Sequence, residues 1–156
     1  MRIFEGSESL KAPFPIVVIA SRFNGEITDK LVNGAMAALT DRGFGDSHVT
    51  MIWVPGAVEL PLAAKHAIET FKPRAVILLG AVIRGETTHY DYVCEQASDG
   101  CLRVALDTGV PVIFGVLTTE DEAQAQARVG GAHGHKGVDA VETACRMVDL
   151  ISTMKR

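Results

Sequence analysis

The chain has 156 residues, 47% of them hydrophobic and 22% charged. That is enough apolar material for one well-cored domain, too little length for two, and a composition unlike that of disordered segments. A formal charge of −4 argues against a general binder of nucleic acid or anionic membranes, and no apolar run approaches the roughly 20 residues that a bilayer crossing needs.

The opening MRIFEGSESL has no apolar stretch followed by a small-residue cleavage site, so no secretory leader is expected. MRIFEG would suit a short strand, yet Pro13 and Pro15 separate it from the first long apolar run. Residues 1–12 are therefore expected to form an arm lying against a neighbouring subunit. IVVIAS (16–21), HVTMIWV (48–54), AVILLGAVI (75–83) and VPVIFGVLT (110–118) read as strands. The first, third and fourth are almost continuously apolar, the pattern of strands covered on both faces in a parallel sheet. Helical spacing of apolar residues occupies the intervals 25–42, 57–71, 88–108 and 120–128, and a last helix spans 137–154. Gly43, Gly45, Pro73, Gly109 and Pro111 punctuate the junctions. Alternating strands and helices predict a single α/β domain over 1–156, a mainly parallel sheet flanked by helices on both faces in a flavodoxin-like, three-layer α/β/α arrangement. Cys94, Cys101 and Cys145 are odd in number and form no C-x-x-C pair. They fit a reduced, cytoplasmic setting in which thiols serve as small core residues.

Ligands of open parallel sheets bind beyond the carboxyl ends of the strands. Those ends carry SRFN (21–24), PGAVE (55–59), RGETTH (84–89) and LTTED (117–121), and RVGGAHGHKG (128–137) precedes the last helix. Gly85 to Thr88 should open a helix, where free N–H groups favour an anion such as phosphate; plain capping by Thr87 or Thr88 explains the same residues. His89 would then stand beside the anion as a proton-transfer group, against the simpler reading of a surface histidine. Phe23 suits a stacking platform or an ordinary rim contact. Glu59 suits an acceptor for ligand hydroxyls or a charge in a first helical turn. GAHGHKG fails the P-loop pattern, because His135 precedes Lys136 and Gly137 follows it, and no G-x-G-x-x-G follows a strand. His133 and His135 with His89 would offer three histidines to a metal, but no carboxylate pattern supports that site. His48 and His66 read as exposed.

Taken together, ASRFN, VPGAVELP, GAVIRGETTHYDYV, FGVLTTE and HKGVDA, in this order and spacing, closely resemble the 6,7-dimethyl-8-ribityllumazine synthase family over nearly the whole chain. RGETTHYDYV after an apolar strand is the most specific piece. The resemblance implies condensation of 5-amino-6-(D-ribitylamino)uracil with 3,4-dihydroxy-2-butanone 4-phosphate, the penultimate step of riboflavin biosynthesis, with no metal or organic cofactor. It implies that Phe23, beside Asn24, stacks on the pyrimidinedione ring, and that Ala57, Val58 and Glu59 hold the ribityl chain. Backbone groups of Ala81, Val82, Ile83 and Phe114 would address the uracil edge. Gly85, Glu86 and Thr87, joined by Arg128, would hold the phosphate. His89 would transfer protons and Lys136 would place a cation near the heterocycle. It further implies homo-oligomers built from pentamers, up to a sixty-subunit shell, and association with riboflavin synthase. The chain departs from the family at Asp139, where glutamate is common, and at His135, where asparagine is common. The rival readings are a flavin- or nucleotide-binding module of similar fold and a purely structural shell protein.

Overall fold

Four strands make one parallel sheet in the order β2-β1-β3-β4: β1 (Ile16–Ser21), β2 (Val49–Val54), β3 (Ala75–Ile83) and β4 (Val112–Thr119). The computed structural model describes residues 1–9 and 12–155. Side chains alternate across the sheet. Ile16, Val18, Ala20, Ala75, Ile77, Leu79 and Ala81 face one layer, and Val17, Ile19, Val76, Leu78 and Val82 face the other. Both layers are helical, which is why β1 and β3 read as unbroken apolar runs. The first layer holds α1 (Gly25–Asp41) and α5 (Lys136–Met154); the second holds α2 (Leu60–Phe71) and α3 (His89–Thr108). The expected three-layer α/β/α domain is thus observed.

α1 buries the face its spacing predicts, Ile27, Leu31, Ala35, Ala38 and Leu39. α2 buries Leu60, Ala64, Ala67 and Ile68, but of the other two residues expected on that face Ala63 is half-buried and Phe71, at the last position of the helix, is exposed. The connection from β1 runs outward to β2 and the next returns across β1 to β3. Helices on opposite faces make these two crossovers, so the winding reverses between β1 and β3. A crevice opens there, beyond the strands' carboxyl ends.

Several boundaries differ from the sequence expectation. The segment 57–71 begins as a 3-10 turn, Ala57–Glu59, before α2. β4 starts at Val112 rather than at 110, because Gly109 ends α3 with φ 69° and Pro111 has no N–H to give a ladder. The helix expected over 120–128 is only α4 (Glu122–Gln126), capped by Asp121, whose carboxylate accepts from the Gln124 N–H at 2.8 Å. The glycine-rich stretch after it is a small antiparallel hairpin, β5 (Val129–Gly131) and β6 (Gly134–His135). Its Gly130 and Gly134 have φ of 105° and 76°, values that a side chain disfavours.

No strand forms in residues 1–6. The next residues are tied to their own chain: the Ser7 N–H donates to Asp149 at 2.9 Å, and Glu8 pairs with Arg42 at 3.1 Å and Arg146 at 3.8 Å. Positions 10 and 11 of the expected arm, like residue 156, lie outside the described residues. His66 is exposed, as expected. His48 is not a free surface group: it is half-buried against Phe44, and its Nδ1 accepts from the Gly45 N–H at 3.2 Å.

Candidate active site

The crevice is built by two turns braced against each other. After β1, the Phe23 N–H donates to the Pro55 carbonyl at 3.0 Å. Asn24 then takes the left-handed conformation, φ 54°, one that asparagine tolerates better than most residues. Its side-chain amide donates to the Ala81 carbonyl at 2.8 Å, locking the turn to β3. The Phe23 ring is left 70% exposed at the rim. On the facing side, the Glu59 carboxylate accepts from the Gly56 N–H at 2.9 Å, which fixes it in the first turn before α2. Between them lies a cavity of about 570 Å³ lined by Phe23, Ala57, Val58, Glu59, Ala81, Val82, Ile83, Gly85, Thr87 and His89. That is a size typical of small-molecule sites.

The loop from β3 to α3 supplies the polar end. Among the described residues, the N–H groups of Gly85, Glu86, Thr87 and Thr88 have no hydrogen-bond acceptor, while the next amide, that of His89, donates to Thr87 Oγ1 at 3.3 Å. Four consecutive donors without an acceptor, just ahead of a twenty-residue helix, are the kind of groups that favour an anion. The helix begins at His89, so Gly85 to Thr88 precede it rather than forming its first turn. Thr88 stands at the N-cap position but makes no side-chain cap; the cap comes from Thr87, whose hydroxyl takes the His89 N–H, and it leaves the four preceding amides without an acceptor. Arg84 anchors the loop. Its guanidinium meets Glu120 at 2.6 Å and Asp91 at 3.2 Å and lies over the Tyr90 ring at 4.3 Å. These carboxylates, the Glu120 hydrogen bond first, raise its already high pKa.

Phe114, Arg128 and Lys136 are elsewhere. They line a second cavity, of about 310 Å³, on the outer strand β4 under α5. Phe114 is the third residue of β4, opposite Leu78, and so does not sit at the strand's carboxyl end. The Arg128 guanidinium donates to the Gln124 carbonyl at 2.8 Å, and Lys136 pairs with Asp139 at 3.1 Å. Within one chain the candidate residues therefore line two separate cavities.

A family model described as 6,7-dimethyl-8-ribityllumazine synthase matches residues 13–152. Proteins named 6,7-dimethyl-8-ribityllumazine synthase from two strains of Coxiella burnetii are 47% identical over 145 residues, covering 93% of this chain and 96% of theirs. One from a third strain is 46% identical over the same span. The chain belongs to the lumazine synthase family.

Of the positions that the lumazine synthase motifs single out, Asn24 and Glu86 do not line the first cavity. Asn24 is committed to holding β1's turn against β3, and the Glu86 side chain is exposed. The first two turns of α3 add Tyr90, Tyr92, Val93 and Gln96 to the wall. Their signal in the sequence is the spacing from His89: 89, 93 and 96 share one helical face. Burial raises the Tyr90 hydroxyl pKa, and it raises that of Cys94 too. Burial pushes Cys101 up to about 11, and Cys145 is raised for the same reason, so these cysteines are inert thiols at neutral pH. Among the described residues no three His, Cys, Asp or Glu side chains gather to hold a metal ion; His89, His133 and His135 do not form a three-histidine site.

Proposed function

We propose that the chain condenses 5-amino-6-(D-ribitylamino)uracil with 3,4-dihydroxy-2-butanone 4-phosphate to 6,7-dimethyl-8-ribityllumazine. The observation that carries this reading is the run of four free loop amides, Gly85 to Thr88, ending at His89 in a cavity whose rim holds Phe23 and Glu59. An aromatic platform, a hydroxyl acceptor, an anion cradle and a titratable ring are what a ribityl-bearing heterocycle and a sugar-like phosphate require. The primary amine attacks the ketone and water leaves as the imine forms. The C–O bond to phosphate then breaks, and the second nitrogen closes the ring with loss of another water. Both reactants are intrinsically reactive, so holding them together supplies much of the acceleration. His89 moves protons between nitrogen, carbon and the leaving phosphate, and no step requires a metal or organic cofactor.

Arg128 completes the phosphate site and Phe114 and Lys136 the heterocycle site, in each case from a neighbouring copy whose second cavity faces the first. Pentamers and larger shells fit this reading. So do the exposed side chains of Tyr92, Leu102 and Leu106 on α3 and of Ile3 and Phe4 at the N-terminus, the latter as an arm against another subunit. Riboflavin synthase, which consumes the product, is a natural partner, and the cytoplasm a natural location. No described helix is long and apolar enough to cross a membrane. A flavin- or nucleotide-binding module would share the stacking ring and the anion cradle, but the family match over 13–152 does not favour it. Mixing the two substrates with pure protein and following lumazine fluorescence tests the proposal. Turnover well above buffer is expected; none above buffer overturns it.

A further inference from the structure

We infer that His135 is a positioning residue for Lys136: its neutral imidazole caps α5 from a notch in α1 and so fixes the lysine in the second cavity. The inference rests on the heterocycle-binding role proposed for Lys136.

The hairpin delivers His135 to the start of α5. Its backbone pairs with Val129, and the Lys136 N–H donates to the Arg128 carbonyl at 2.9 Å. The imidazole Nδ1 accepts from the Gly137 N–H at 3.2 Å, the bond that an N-cap side chain makes to the second residue of a helix. Asp139 is the acid of that first turn, but its carboxylate is turned to the Lys136 ammonium at 3.1 Å. The cap therefore falls to His135, and Lys136 is held through its backbone by the cap and through its ammonium by Asp139.

The seat of the ring is cut into the neighbouring helix. A Cβ added at Gly34 of α1 would fall inside the His135 imidazole, and one added at Gly137 would run into the Leu31 carbonyl. Two glycines thus let α1 and α5 close on the ring. Gly34 sits in the interior of α1 with no positive φ, a position where alanine would otherwise be favoured by about 1 kcal/mol. The space for the ring accounts for it.

A histidine cap differs from an asparagine cap in one respect. An imidazole accepts from Gly137 only while Nδ1 carries no proton, since the doubly protonated ring has two donors and no acceptor. The charged and titratable groups on the elements packed against it are Glu26, Asp29, Lys30 and Asp41 on α1, Arg128 before β5, His133 in the hairpin, and Lys136, Asp139, Glu142, Arg146 and Asp149, with Cys145, on α5. Lys30 is engaged by Gln126 at 2.6 Å, Arg128 by the Gln124 carbonyl and Lys136 by Asp139. None of these supplies a replacement cap in the structure.

The test measures KM for the ribitylaminouracil substrate between pH 5.5 and 7.5, and hydrogen exchange of the segment 135–140 without substrate, on the assembled protein. At pH 7.5, His135→Ala should raise KM about threefold to tenfold, the effect of a lost helix cap, and speed exchange. His135→Asn should restore both. Gly34→Ala should act like His135→Ala in the wild-type background and add nothing to it in the double variant. On acidification, wild-type KM should rise, and the protection of 135–140 relative to the intrinsic exchange rate at each pH should fall, more than in His135→Asn, the difference isolating His135 from His89. If His135→Ala speeds exchange but leaves KM within about twofold, or if wild type and His135→Asn share one pH profile, the inference is overturned. Lys136→Met separates the two readings. A raised KM there with none in His135→Ala removes only the positioning role, whereas an unchanged KM removes the heterocycle role of Lys136 and the inference with it.

Discussion

Arg84 does not line the first cavity, yet the loop proposed to cradle the phosphate starts at the next residue. Single exposed ion pairs contribute roughly 0–1 kcal/mol, but Arg84 has its N–H on the Thr119 carbonyl at 2.9 Å and its guanidinium on Glu120, Asp91 and the Tyr90 ring at once. Those contacts tie the ends of β3 and β4 to the first turn of α3. Arg84→Ala should therefore raise KM for the butanone phosphate several-fold while leaving that for the ribityl substrate nearly unchanged, and Arg84→Lys should fall between, since an ammonium keeps the charge but loses the planar fork. Steady-state kinetics with each substrate varied in turn checks this; equal rises for both substrates would place the effect in general folding instead. His89 lies at the opposite extreme, exposed at the start of α3. If approximation of the reactants dominates, His89→Ala should cost kcat near the lower end of the roughly 10²–10⁴-fold typical of acid–base groups, measured on protein shown by sedimentation to be assembled.

Among the elements, α2 ends in an uncommon way: Lys72 takes φ 51°, in the left-handed region, just before Pro73. A non-glycine residue there costs about 1–2 kcal/mol, partly offset by the entropy glycine loses on folding. Lys72→Gly should stabilise the fold by up to about 1 kcal/mol, read as a shift in the denaturant midpoint with unchanged slope. In α3, burial raises Cys101 to about 11 from 9.0. The native thiol holds its proton longer than the unfolded one, so its contribution is complete below about pH 9 and is lost as pH rises towards 11, with a slope of at most about 1.4 kcal/mol per pH unit. Chemical denaturation across that window should show the decline, and Cys101→Ala should flatten it. Such elements are legible in the sequence wherever burial on both faces leaves a continuous pattern, as in β1 and β3, or on one face, as in α1 and α5. β5 and β6 are not, because a hairpin of so few residues, most of them glycine, has no hydrophobic period. The four clusters beyond the strands are visible as polar bursts. The cap by His135 is hidden, since it depends on a notch at Gly34, a hundred residues away in the chain. The bracing role of Asn24 is hidden for a related reason: its partner is the Ala81 carbonyl on another strand.

At the scale of the molecule, the decisive arrangement is the division of the site residues between two cavities. Phe23, Glu59, Thr87 and His89 line one, at the switch between β1 and β3. Phe114, Arg128 and Lys136 line the other, on the edge strand β4. The lining of each differs from that of the other: the first holds His89 and neither lysine nor arginine, and the second holds Arg128 and Lys136 with Asp139 and no histidine. A head-to-tail contact that brings the second cavity of one copy against the first of the next completes both, and such heterologous contacts close into a ring when the rotation between copies permits. The consequence is measurable. Glu59→Ala and Arg128→Ala, each chosen for a severe loss, are unfolded separately, mixed and reassembled. In mixed rings some interfaces pair an unaltered first cavity with an unaltered second one, so activity should rise above both parents, up to about a quarter of wild type for equal mixing of two inactive variants at independent interfaces. Sites contained within single chains would give only the average of the parents. That result, in rings shown by mass spectrometry to hold both variants, would confine each site to one copy and leave the second cavity without a role in the condensation.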